Sequence, residues 1–188
     1  MCCRCYVEYL KDKKLKQIYD QLQDKDDIKT EGELFPGDNA VIVANNKDLN
    51  IGVFKMKWGY TLGKKLVFNA RCESLEEKEI FKDGINMRRC VLPINNYFEW
   101  KKDDKKKYLF KDEDSIMYLL GIYRFEDGKP VFTVLTKDAS LKLSIVHDRM
   151  PVVIRGENVR KWLEKDADFL SIIKESVDDL YFEPYDKQ

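Results

Sequence analysis

Between residues 88 and 139 the chain alternates β-branched and aromatic runs with turn signals so regularly that a sheet is hard to avoid. "RRCVLPINNYFEWK", "KKYLF", "SIMYLLGIYRF" and "PVFTVLTKDA" are punctuated by "NN", "KDDKK", "KDED" and "EDGKP". Upstream, "AVIVANN" and "NIGVFKMKWGY" flank "KDL" as a hairpin, "KKLVFNAR" adds a strand, and residues 2 to 9 form a short first one. Helical periodicity is confined to short pieces. "LKDKKLKQIYDQLQ" has apolar residues at 10, 15, 18, 19 and 22, "SLEEKEIFKDGI" begins with Ser74 and Glu77 in capping-box spacing, and "ASLKLSIV" and "NVRKWLEK" follow later. Strands that dominate, with helices interrupting irregularly, predict one α+β domain over residues 1–188, built on a mixed or antiparallel sheet that is closed or strongly curved. Residues 155–188 read as a helical extension.

A chain of 188 residues buries roughly 70% of its unfolded surface on folding, so it holds a real core. Its 34 basic and 34 acidic residues cancel, which excludes a strongly basic nucleic-acid binder but leaves room for a local patch. No apolar run approaches the ~18 residues a membrane span needs, and the N-terminus turns charged too early for an export signal. A cytoplasmic monomer without membrane contact or cofactor is the expectation. Five cysteines, an odd number, fit thiols in a reducing compartment better than a disulfide framework.

Three of those thiols crowd into "MCCRC". If Met1 is removed, Cys2 becomes a 1,2-aminothiol: the amine condenses with an aldehyde to an imine, and the thiolate closes onto the imine carbon as a five-membered thiazolidine. Ordinary values of about 8 for the amine and about 8.5 for the thiol leave both partly deprotonated near neutrality. A core cysteine in an edge strand is the plainer reading. A zinc site from Cys2, Cys5, Cys72 and Cys90 is opposed by the distance in sequence between the last two, so no metal is expected. His147 is the only imidazole, in "VHDRMP", and either serves structure or supplies the one side chain that ordinarily titrates near pH 7. Glu99 in "NYFEW" is either a solvated strand carboxylate or, desolvated by its neighbours, a proton shuttle. Asn69 and Arg71 alternate onto one face of "FNAR", as strand-end polar residues or as groups that orient a nucleophile and hold a phosphate.

In order and spacing, "MC-R", "WG", "NAR-E", "RRC--P---YFEW", "LLGIY", "FTVLTKDA" and "HDRMPV" together resemble the SOS response-associated peptidase (SRAP) domain family over roughly residues 2 to 154. The resemblance implies a barrel-like β core with a DNA groove, and shielding of abasic sites in single-stranded DNA through a thiazolidine crosslink to the N-terminal cysteine. It implies that Cys2 traps the ring-opened sugar, that Asn69 orients it, that Glu99 shuttles protons, and that His147 assists sugar opening and reversal. Arg4, Arg71 and Arg149 would contact phosphates, Trp58 and Trp100 would offer stacking surface, Pro36 would act as a wedge, and Thr136 would make a backbone contact. The only peptide cleavage it implies firmly is removal of the chain's own Met1.

The sequence also departs from the family. Cys3 stands where Gly is usual, "GELF" replaces the Asn-x-Ala that usually leads into Pro36, and no Pro or second Trp follows Trp58 and Gly59. Two alternatives remain beside the crosslinker: a thiol peptidase with Cys2 as nucleophile and His147 as base, and a non-catalytic module that binds altered DNA reversibly. A groove would require Arg4, Arg71, Arg88, Arg89, Arg124 and Arg149 to cluster.

Overall fold

A computed structural model describes residues 4–113 and 116–186. Cys2, on which the expected chemistry turns, lies outside the described residues, as does Cys3. In chain order the elements are β1 (Cys5–Glu8), α1 (Lys13–Asp20), β2 (Glu31–Leu34), β3 (Asn39–Asn45), β4 (Ile51–Trp58), β5 (Tyr60–Leu62), β6 (Lys65–Val67) and β7 (Asn69–Arg71). There follow α2 (Glu79–Met87), β8 (Arg89–Ile94), β9 (Asn96–Trp100), β10 (Lys107–Lys111), β11 (Met117–Glu126) and β12 (Lys129–Asp138). The chain closes with β13 (Arg149–Pro151), β14 (Val153–Ile154), α3 (Val159–Leu163), α4 (Phe169–Lys174) and β15 (Tyr181–Pro184).

Strands β12, β4, β3, β8 and β11 pair in a ring, closed where β12 meets β11. Every pairing in the ring is antiparallel except β12 with β4, where Phe132 lies beside Trp58. This is the curved, mixed α+β core that the strand-rich sequence predicts. A second, antiparallel sheet runs β15-β10-β9-β1-β2. The chain passes from barrel to second sheet through Asn95, whose amide donates to the Tyr6 carbonyl at 3.0 Å while its side-chain oxygen accepts from the Glu8 amide at 2.7 Å. One core fills the space between the two sheets, and a smaller one lies under α2, α3 and α4.

Local chemistry accounts for most boundaries. Asp12 caps α1 by accepting from the amides of Lys14 and Leu15 at 2.9 and 3.0 Å, and Leu15 and Tyr19 face inward from it. Gly59 sits at φ 116°, and a Cβ there would meet Leu66 at 2.5 Å, so the "WG" pair needs its glycine.

Three expectations are corrected. The Ser74–Glu77 capping box is unused: residues 72–74 form a 3-10 turn, Ser74 donates to the Arg71 carbonyl at 3.4 Å, and α2 starts at Glu79 without a side-chain cap. The inward stripe of Phe81, Gly84 and Ile85 sets that helix instead. "ASLKLSIV" makes only one 3-10 turn at Leu143–Ile145. Residues 155–188 are not simply helical, because β15 returns to pair with β10, where Phe182 stacks on Phe110 at 5.6 Å. Apolar residues of the tail thus find their partners far away in sequence, where local periodicity has no reach.

Candidate active site and nucleic-acid interface

Strand β1 runs between β2 and β9, with Cys5 opposite Tyr97, and the Phe98 amide donates to the Arg4 carbonyl at 2.9 Å. Arg4 is therefore held one residue from Glu99 in β9. Glu99 is not the solvated carboxylate of the plainer reading: it is 3% exposed, and burial pushes its carboxyl up to about 7, helped by Asp148 and opposed by the Trp100 amide. A carboxyl so placed is near half-protonated at neutral pH and can donate or accept.

His147 enters the same field from the loop before β13. Lys102, just beyond β9, binds Asp148 at 2.7 Å and so ties that loop to the strand carrying Glu99. The His147 Nδ1 lies 3.0 Å from the Arg149 amide nitrogen and 3.0 Å from Asp148 Oδ1. It accepts from the amide when neutral and donates to the carboxylate when protonated. Burial lowers its pKa, with Lys102 adding to the effect and Asp148 opposing it, so the neutral base dominates at pH 7.

Asn69 opens β7, half-buried, opposite Val134 of β12. Thr136 pairs with Arg71 on one edge of β12 and with Pro151 on the other. The C-terminal end of β12 thus carries the Asn69 strand on one side and the strand after His147 on the other.

Beneath this sits Arg149, 9% exposed. Its guanidinium donates to both Glu73 oxygens at 2.7 and 3.0 Å, to Asp138 at 2.6 Å and to the Thr136 carbonyl at 2.7 Å. Thr136 is fully buried and its hydroxyl reaches the Ala70 carbonyl at 3.5 Å. Contrary to expectation, Arg149 and Thr136 bind β7, β12 and β13 together rather than facing a phosphate. Arg71 remains exposed at the rim of a depression of about 440 Å³ that Glu73, Lys78 and Asp138 also line.

One more expected contact is taken up by the interior. Trp58 is completely buried, stacked on Phe132 at 6.0 Å with its indole donating to the Phe68 carbonyl at 2.9 Å, so it is core rather than a stacking surface. Pro36 and Gly37 (φ 101°) form the corner of a tight turn in which the Asp38 amide donates to the Phe35 carbonyl at 3.0 Å. Trp100 is half-buried, with the Arg4 guanidinium 4.9 Å from its ring centre.

The six arginines do not form one groove. Arg89 is buried and donates to the carbonyls of Glu164, Lys165 and Ala167 beyond α3, Arg124 is held by Glu126 and the Thr61 carbonyl, and Arg88 by Asp83 at 3.4 Å. The guanidinium fork suits peptide carbonyls as well as phosphates, a choice that sequence alone does not reveal. Conversely, Lys102, Glu73 and Asp138 frame the site without any sequence signal, since their partners are 46, 76 and 11 positions away.

Among the described residues no three His, Cys, Asp or Glu side chains gather as a metal site, and no helix is long and apolar enough to cross a membrane. Burial pushes the Cys72 thiol up to about 12 and raises Cys90 also, which removes both as thiolates near neutrality.

The Glu99 shift has a consequence for stability. The unfolded carboxyl ionises near 4.5 and the folded one near 7. Between those values the folded state keeps a proton that the unfolded state releases, so stability falls as pH rises from about 4.5 to about 7. Melting curves across that window will show Glu99→Gln losing this part of the slope. An unchanged slope would mean that Glu99 titrates normally.

The chain resembles known proteins along nearly its whole length. The family model described as SOS response associated peptidase (SRAP) matches residues 1–186. The abasic site processing protein YoqW of Bacillus subtilis is 29% identical over 178 residues, covering 81% of this chain and 79% of the relative. The abasic site processing protein YobE of the same organism is 29% identical over 170 residues, 77% of each. A crystal structure of a phage-related protein from Bordetella bronchiseptica superposes with a TM-score of 0.78 at 18% identity, over 99% of this chain and 95% of that one, and shares the fold.

Proposed function

The chain belongs to the SOS response associated peptidase (SRAP) family, and from that premise we propose that it processes abasic sites by covalent capture, through Cys2, of the ring-opened sugar in single-stranded DNA. The observation that carries the reading is the buried Glu99, with a carboxyl titrating near 7 one residue from where β9 grips Arg4. Cys2 precedes Arg4 by two residues, and an extended chain spans at most ~3.6 Å per residue, so connectivity alone keeps the Cys2 Cα within ~7 Å of the Arg4 Cα.

The reaction balances with water as the only co-reactant. Hydrolysis of the Met1–Cys2 peptide bond releases methionine and frees the Cys2 amine, which attacks the C1 aldehyde of the opened deoxyribose. The carbinolamine expels water, for which Glu99 supplies the proton, and the nitrogen returns its proton to the Glu99 carboxylate as the imine forms. The Cys2 sulfur then adds to the imine carbon while its proton passes to the nitrogen, closing the thiazolidine. Neutral His147 accepts the C1 hydroxyl proton as the ring opens and passes it to the departing ring oxygen, the same transfer running backwards on reversal, and Asn69 orients the Cys2 head group. Trp100, Arg4 and Arg71 serve the strand as stacking surface and cations, and the Pro36 corner serves as the wedge beside the lesion.

Two measurements test this. Intact mass of the purified protein is expected to lack Met1. A labelled single strand with one abasic site is expected to give a band that survives denaturation, while the same strand with a normal base gives none. Retained Met1, or only salt-sensitive reversible binding, overturns the reading in favour of a non-catalytic module. Turnover of unrelated peptides would favour the thiol peptidase.

A further inference from the structure

Beside Arg4 opens a cleft of about 700 Å³, within the ~300–1,000 Å³ usual for small-molecule sites. Its walls combine aromatic rings, the cations Arg4, Lys29 and Lys107, and two carboxylates, Glu33 and the more exposed Glu31. The Arg4 guanidinium lies 4.3 Å from the Phe35 ring centre and 4.9 Å from that of Trp100. The Lys107 ammonium lies 4.7 Å from the ring centre of Tyr185, the residue just after β15. Between the two cations stands Glu33, its side chain 13% exposed, with one oxygen 2.6 Å from Lys107 and the other 3.3 Å from Arg4.

A carboxylate is an odd choice for a surface that only follows a DNA backbone, because it repels phosphate. It suits the edge of a base. A carboxylate carries about four acceptor positions, and the two cations hold Glu33 oriented while leaving acceptor capacity toward the cleft. The rings and the Arg4 plane supply the stacking faces that any base can use. Glu33 and Phe35 both lie in the short "GELF" segment that leads into Pro36.

We infer that this cleft is a nucleobase subsite that receives one base neighbouring the abasic residue, stacking it against Phe35, Trp100 and Tyr185 and reading an amino group on its edge through Glu33. The inference rests on the proposed function for its biological setting but is tested apart from it. Adenine, cytosine and guanine each present an amino group; thymine offers none. Capture therefore acquires a sequence-context preference.

The experiment has two arms. In the first, crosslinking rates are measured on abasic strands with each of the four bases in turn at the positions on either side of the lesion. At one position thymine is expected to be slower by about fivefold or more, and Glu33→Gln to shrink that difference. In the second, intact strands without a lesion carry 2-aminopurine at successive positions, and its fluorescence is expected to be quenched on binding. Phe35→Ala is expected to weaken that binding by about 5- to 100-fold; Phe35 is 37% exposed, so the truncation spares the core. Crosslinking at equal rates in every context, without quenching, overturns the subsite and leaves the crosslinking function standing. If no strand crosslinks, the second arm alone decides: quenching lost in Phe35→Ala supports the subsite, and no quenching overturns it.

Discussion

Cys2→Ala, incubated with an abasic single strand and then denatured, gives no stable covalent band, whereas the unaltered protein converts the strand. The variant keeps an α-amine once Met1 is removed, so it still forms the imine, and borohydride reduction is expected to trap that species. Cys3→Ala is expected to crosslink like the parent, because its thiol is one residue from the amine and cannot close the five-membered ring. The pair of variants separates the two halves of the reagent. A stable unreduced product from Cys2→Ala at the parental rate would assign the chemistry to another group and end the proposal. The thiols that could substitute are poor candidates: Cys5 and Cys90 are fully buried, and burial holds Cys72 protonated.

Glu99→Gln is expected to slow crosslink formation by about 100- to 10,000-fold, the range that loss of a positioned proton donor costs. Glutamine keeps the shape but can neither release nor take up a proton at pH 7. Binding of a lesion-free strand is expected to stay within about twofold, which separates loss of chemistry from loss of folding. The pH profile carries the sharper signature. With a carboxyl at about 7, the fraction able to protonate the leaving water falls as pH rises through neutrality, while the free amine and thiolate grow. The parental rate should bend near 7, and the variant should lose that bend. A variant that reacts at the parental rate with the bend intact would remove Glu99 from the mechanism.

How far the sequence reached depends on how local each cause is. The barrel strands were legible because β3, β8, β11 and β12 carry their apolar and β-branched residues in uninterrupted runs bounded by turn residues. Tail strand β15 was not, since its partner β10 lies about seventy positions upstream and its own burial is slight. Glu99 illustrates the same limit in the site. Alternation gave its face, but its burial depends on what the other elements bring over it. Trp58 and Arg149 failed in the opposite direction: a side chain suited to stacking and one suited to phosphate were both taken up by the interior, one by Phe132 and the other by Glu73 and Asp138. Motif and spacing named the residue types. Burial and partnership decided their work.

Strand β12 is bonded along one edge to β4 and β7 and along the other to β11 and β13. The contact with β4 is parallel and joins segments more than seventy residues apart, the kind of pairing that forms late because a long loop must close first. A chain caught before that closure has neither the Asn69 strand nor the His147 loop in place. Any help that Asn69 and the His147 loop would give to the proposed chemistry therefore arrives only with the finished fold.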